Sequence, residues 1–235
     1  MSKMNLICLT YAGGSVGSLY AYVSLLAKDF NLNLIEYPGR GKRFKEELKE
    51  NIDDLLEDVY ENIKPIIAKD EKYAILGYSM GSLLSYELYY KIKKDKLRLP
   101  EHIFFCSGRT PDGYDDFKEA KLDDESIIAG IDVLGNISKQ ILSRPKIRDK
   151  FVPVIRSDYK VIQSYKYVKK EEKLQCNISV ICGKDDHLTK QSFYGWDKFT
   201  SMKCDYVQYD GGHFFGEVRR KELSSYIKNV LSEYE

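Results

Sequence analysis

The chain has 235 residues, 43% hydrophobic, 31% charged and 13% aromatic, which suits one domain with a large core and excludes a disordered, collagen-like or disulfide-stapled protein. Its 37 basic and 36 acidic residues leave a formal charge of +1, so no nucleic-acid partner is indicated. No apolar run reaches the roughly 18 residues of a membrane span, and the opening MSKMNLICLTYAGG lacks a signal-peptide pattern. A cytoplasmic, membrane-free monomer is expected.

In chain order, short apolar runs at Asn5 to Ala12, Asn31 to Tyr37, Tyr73 to Tyr78, His102 to Ser107, Asn177 to Cys182 and Cys204 to Tyr209 read as strands. Most are continuous rather than alternating, as expected for strands of a parallel sheet covered on both faces. Helical stripes fall between them. Leu55, Leu56, Val59, Ile63 and Ile67 form the first, with Pro65 expected to bend or end its last turn. Leu84, Leu88 and Ile92 form the second, and Val218, Tyr226, Ile227, Val230 and Leu231 the last. This alternation predicts an α/β fold with a mostly parallel, doubly wound sheet spanning 1–235 as a single domain.

The rhythm breaks over 111–174, which carries helical patterns (DDESIIAGIDVLGNI, DKFVPVIRSDYKVIQSYKYV) without a convincing strand. An insertion after a strand's C-terminal end overhangs the rim where such sheets bind ligands, so a helical lid is expected. A second layer of helices without a gating role is the alternative. The five cysteines form no CxxC or Cys/His spacing, and Cys8, Cys106 and Cys182 sit inside apolar runs. Neither a disulfide framework nor a zinc site is indicated, and no metal or other cofactor is required.

The chemistry is concentrated in three segments. Gly77-Tyr78-Ser79-Met80-Gly81 is a G-x-S-x-G motif between an apolar strand and an apolar helix, the setting of a nucleophile elbow. Side chains in place of the flanking glycines would collide with the neighbouring strand and helix. A serine hydroxyl needs a base oriented by a carboxylate. His102 opens a strand and His187 lies in a loop, whereas His213 follows the last strand in DGGHFF and is the candidate base. ISVICGKDDHL offers Asp185 and Asp186 after the preceding strand. Asp186 is chosen, giving the order nucleophile, acid, histidine of α/β-hydrolases. Asp185 reads as a solvated charge, and Asp210 lies too close to His213 in sequence to orient its ring. The amides of Ala12, in the glycine-rich YAGGSVGSLY, and of Met80 are the candidate oxyanion donors.

Together TYAGGS, EYPGRGKR, LGYSMGS, GKDDH followed by a Trp196 helix, and YDGGHFF resemble the type II thioesterases that accompany nonribosomal peptide and polyketide synthetases. The resemblance spans nearly the whole chain. It implies an α/β-hydrolase fold, Ser79 as acyl acceptor, Asp186 and His213 completing its triad, Ala12 and Met80 forming the oxyanion hole, and 111–174 as the lid. It also implies hydrolysis of misacylated or stalled thioesters from the phosphopantetheine arm of acyl or peptidyl carrier proteins. Thr10, Tyr78 and His187 depart from the family pattern; the last two are expected to bear on pocket shape, loop rigidity and substrate preference. Arg40, Lys42 and Arg43, and Lys166, Lys169 and Lys170, are candidate docking clusters for an acidic carrier protein, although each also reads as a solvated face. A carboxylesterase or lipase acting on small oxygen esters, and a silent hydrolase fold that only binds acyl groups or carrier proteins, are the competing readings.

Overall fold

Each of the six apolar runs forms a strand: β1 (Asn5–Leu9), β2 (Asn31–Ile35), β3 (Tyr73–Tyr78), β4 (His102–Cys106), β5 (Asn177–Gly183) and β6 (Cys204–Tyr209). The computed structural model describes residues 3–134 and 144–234. Every strand pairing is parallel, in the order β2-β1-β3-β4-β5-β6. Consequently the carboxyl ends of all six share one rim, and the sheet order reverses at β1, which lies between β2 and β3.

Alternation along β1 sends residues to two separate cores. Leu6 and Cys8 pack with α1 (Val16–Val23) and the C-terminal helix, while Ile7 and Leu9 pack with α2 (Ile52–Ile67) and α3 (Met80–Lys94). Both faces are therefore dry, the physical reason these strands lack a polar alternation. Leu84, Leu88 and Ile92 of α3 are fully buried. Asn51 caps α2, its side chain accepting the Asp54 N–H at 2.8 Å. Pro65 lies within the last turn of α2, which ends two residues later.

The last apolar stripe differs from its expected membership. The chain forms two helices, α6 (Phe215–Val218) and α7 (Arg220–Ser232), separated at Arg219. Val218 is exposed, and the buried line on α7 is Leu223, Ile227 and Leu231. Trp196 lies in a short 3-10 helix, Phe193–Lys198, and stacks on Phe105 with ring centroids 4.0 Å apart.

Between β4 and β5 the described residues hold a 3-10 turn (Asp115–Glu119), α4 (Asp124–Leu134) and α5 (Pro145–Ser164). Residues 135–143 of the expected lid, including the end of its first helical pattern, lie outside the described residues. Ile127, Ile128, Ile131, Val152 and Ile155 make a small core of their own joining α4 to α5. Pro145 starts α5, where its missing N–H costs nothing. All five cysteines are free thiols; Cys8, Cys106, Cys176 and Cys182 are buried and Cys204 is partly so. No described helix is long and apolar enough to cross a membrane.

Candidate active site

Ser79 stands between the end of β3 and the start of α3 with φ 53° and ψ −112°, a left-handed backbone that a non-glycine residue adopts only under constraint. The constraints are local. Its N–H donates to the Cys106 carbonyl at 2.8 Å, and its carbonyl accepts the Ser82 N–H at 2.9 Å. A Cβ at Gly77 would strike the Gly81 carbonyl, and one at Gly81 would strike the Leu9 carbonyl. The two glycines thus let strand, helix and β1 approach closely enough to impose the turn.

The turn brings together three side chains that are distant in sequence. His213 Nε2 lies 2.9 Å from Ser79 Oγ, while His213 Nδ1 lies 3.0 and 3.1 Å from the two Asp186 carboxylate oxygens. Asp186 and His213 are buried. Burial alone would raise the Asp186 carboxyl, but the hydrogen bond and charge of His213, together with hydrogen bonds from the Thr189 and Ser107 hydroxyls, hold it below the ordinary carboxylate range. Its Oδ1 also accepts the Leu188 N–H at 3.0 Å. An ionised carboxylate here accepts a hydrogen bond from Nδ1–H, which selects the tautomer whose Nε2 can accept from the serine.

The alternatives lie elsewhere. Asp185 is exposed, and Asp210 is exposed and paired with Lys184 at 2.6 Å. His187 is exposed on the loop after Asp186. His102 is buried at the start of β4, away from the rim, with Ser179 Oγ at 2.8 Å and the Tyr234 hydroxyl at 3.2 Å. Burial lowers its pKa to about 4, which suits a neutral core histidine.

Ala12 lies on the loop after β1, and Met80 is the first residue of α3, where a helix leaves its N–H groups without internal acceptors. The Gly14 N–H donates to the Tyr11 carbonyl at 2.9 Å, closing a turn through Ala12 and Gly13, and Gly13 takes φ 78° as the third residue of that turn. Tyr11 and Gly13, on either side of Ala12, line a cavity of about 580 Å³ together with Phe44, Phe151 and Val154.

Several participants were not anticipated. Asp158 of α5, fully buried, accepts the Gly13 N–H at 2.6 Å and both terminal nitrogens of Arg40 at 2.5 and 2.7 Å. Arg40 is buried too, so it is not part of a docking surface. Arg43 is likewise committed internally, to Asp58 at 2.7 Å and to Glu46. Lys170 pairs with Glu87 at 2.6 Å. Lys42, Lys166 and Lys169 remain exposed. Tyr78 points into the core, packed against Tyr22, Phe214 and Phe215.

Residues 4–229 match the thioesterase domain family. The chain belongs to that family of hydrolases. It is 32% identical over 98% of its length to a gramicidin S biosynthesis protein, GrsT, of Aneurinibacillus migulanus, and covers 90% of that relative. The solved structure of ClbQ, from the colibactin NRPS/PKS pathway, superposes with a TM-score of 0.89 at 26% identity, covering 99% of this thioesterase and 98% of ClbQ. The type II thioesterase BorB, from the borrelidin biosynthetic cluster, superposes with a TM-score of 0.80 at 25% identity, covering 97% and 92% of the two chains. The fold of this thioesterase is that of its α/β-hydrolase relatives, and the chain is homologous to type II thioesterases of nonribosomal peptide and polyketide synthetase clusters.

Proposed function

We propose that the protein clears acyl groups from the phosphopantetheine arm of carrier proteins, by way of an acyl-enzyme on Ser79. The observation that carries this reading is the unbroken line from Asp186 through His213 to Ser79, with contacts of 3.0 and 2.9 Å, in a chain homologous to type II thioesterases.

In this mechanism Ser79 Oγ attacks the thioester carbonyl as His213 Nε2 removes its proton. Asp186 holds the Nδ1 proton and stabilises the imidazolium that forms. The amides of Ala12 and Met80 serve the oxyanion of the tetrahedral intermediate, and losing one such donor typically costs about 3 kcal/mol of transition-state stabilisation. Collapse breaks the C–S bond, and the departing thiolate takes the proton from His213. Because a thiol ionises near pH ~8.5, it leaves without a strong acid. The same histidine then takes a proton from water, which attacks the ester; the acid is released and Ser79 recovers its proton.

The segment 111–174 fits the role of a lid. The support for this is α5, whose Asp158 contacts the loop carrying Ala12 and whose Phe151 and Val154 wall the cavity beside it.

The test is hydrolysis of carrier proteins loaded with different acyl groups, compared with acyl-pantetheine and small oxygen esters. Release of free carrier thiol faster than any oxygen ester is the expected result. Faster turnover of oxygen esters would make the protein a carboxylesterase, and binding of acyl carrier without turnover would make it a silent hydrolase fold.

A further inference from the structure

Ser79 and Asp186 fix the two nitrogens of the His213 ring, but neither fixes the backbone from which the ring hangs. That backbone is held separately. The Tyr78 hydroxyl donates to the His213 carbonyl at 2.7 Å, and the Ser107 hydroxyl donates to the same oxygen at 2.9 Å. We propose that Tyr78 and Ser107 form a two-hydroxyl clamp that positions His213 for proton transfer, so that Tyr78, the residue beside the nucleophile, governs turnover rather than acyl selectivity.

The clamp is built from groups with little freedom to move. Tyr78 is fully buried, its ring nearly parallel to Phe214 and perpendicular to His213, with Tyr11 and Tyr22 against its other sides. Burial pushes its phenol well above the ordinary range, against the smaller opposing influence of the Gly216 amide and the Ser107 hydroxyl. The group is therefore a permanent donor at any working pH. Ser107 leaves the end of β4 in the left-handed region, φ 46°, and its N–H donates to the Ile181 carbonyl at 2.7 Å. Backbone strain of this kind persists where neighbours over-determine it, and here it places the hydroxyl against the His213 carbonyl, with the Tyr78 hydroxyl and the Asp186 carboxylate also in hydrogen-bond reach. Both donors stand on the sheet: Tyr78 ends β3, and Ser107 follows Cys106, its partner across the β3–β4 ladder. The clamp thus transmits the rigidity of the sheet to a histidine on a glycine-rich loop. A displacement of about 1 Å at a reacting group can cost on the order of a hundredfold in rate, which gives such a clamp its leverage.

The inference rests on the reading of Ser79 and His213 as nucleophile and base, and its experiment separates the two. The variants are Tyr78→Phe, which keeps the ring stack, removes only the hydroxyl and so tests the carbonyl contact without touching Asp186; Ser107→Ala, which also withdraws a hydroxyl from Asp186; and the pair combined. The readouts are inactivation of Ser79 by a fluorophosphonate, kcat and KM for acyl-pantetheines of several chain lengths, and thermal unfolding. Since either hydroxyl alone still bonds the carbonyl, each single change is expected to lower kcat and inactivation rate about fivefold, and the double change about a hundredfold. KM and the order of preference among acyl chains should stay as in the parent. A changed chain-length preference in Tyr78→Phe with kcat intact would make Tyr78 a pocket wall and overturn the proposal. A lowered unfolding temperature with unchanged rates in all three variants would reduce the clamp to ordinary core packing and overturn it equally. If the parent protein itself resists the fluorophosphonate and turns over no ester, the underlying reading fails and the clamp falls with it.

Discussion

The carboxylate of Asp158 accepts the backbone N–H of Gly13 at 2.6 Å, joining the helix over the rim to the loop that carries Ala12 across 145 positions of sequence. The same carboxylate receives the two-pronged guanidinium of Arg40, and both charged groups are buried. Sheltered pairs of this sort contribute little by existing, but removing one partner leaves a charge stranded.

Asp158→Ala should therefore destabilise the fold by about 3–5 kcal/mol, read as a lower urea midpoint. Replacing both partners, Arg40→Met with Asp158→Leu, should restore most of that loss. Equal destabilisation by the single and double changes would show that the stranded guanidinium is not the cause.

Ser79 carries backbone strain of roughly 1–3 kcal/mol by its conformation. Ser79→Gly should raise the unfolding temperature while abolishing turnover, whereas Ser79→Ala should keep the strain and lower kcat by about 10⁶. Asp186→Asn should cost less, about 10⁴, because the ring survives in the wrong tautomer. A glycine variant no more stable than the parent would show that the turn is relaxed.

Two glycines make opposite predictions. An added methyl at Gly81 meets the Leu9 carbonyl, a backbone atom that cannot rotate aside, so Gly81→Ala should yield little folded protein. Gly130, within α4, has nothing within 4 Å of the position a Cβ would take. Gly130→Ala should stabilise by about 0.5–1 kcal/mol through the lost freedom of the unfolded chain. Thermal scans of the two variants are sufficient to check both.

His102 predicts how acid affects the fold. Its pKa falls from 6.5 to about 4 on folding, so the unfolded chain binds the proton more readily. The corresponding stability is fully present above pH 6.5 and is lost as pH drops towards 4, about 3 kcal/mol in all. His102→Gln should flatten the dependence of the urea midpoint between pH 7 and 4.5. A parallel curve would assign the acid sensitivity to other groups.

The strands were legible because a sheet covered on both sides needs continuous apolar runs, and the elbow because Gly77 and Gly81 leave a mark on the sequence that other residues could not. Asp186 and His213, which the structure brings into contact with each other and with Ser79, were chosen by chain order and by the loops that follow β5 and β6. What was not legible depends on distance or on backbone. Arg40 looks like surface charge until Asp158, 118 positions away, folds onto it. The contact of the Tyr78 hydroxyl leaves no mark in the sequence, because its partner is a carbonyl and carbonyls have no residue identity. Val218 fits a helical period, but the chain leaves the helix at Arg219, with ψ 25°, and the period restarts with Leu223 in its place.

The five free thiols give a reporter that needs no engineering. Four are enclosed within the folded interior, so in the native molecule a maleimide should modify Cys204 alone, and the others only when the layers part. Mass spectrometry of labelled protein would then time global opening, uncoupled from any event at the rim.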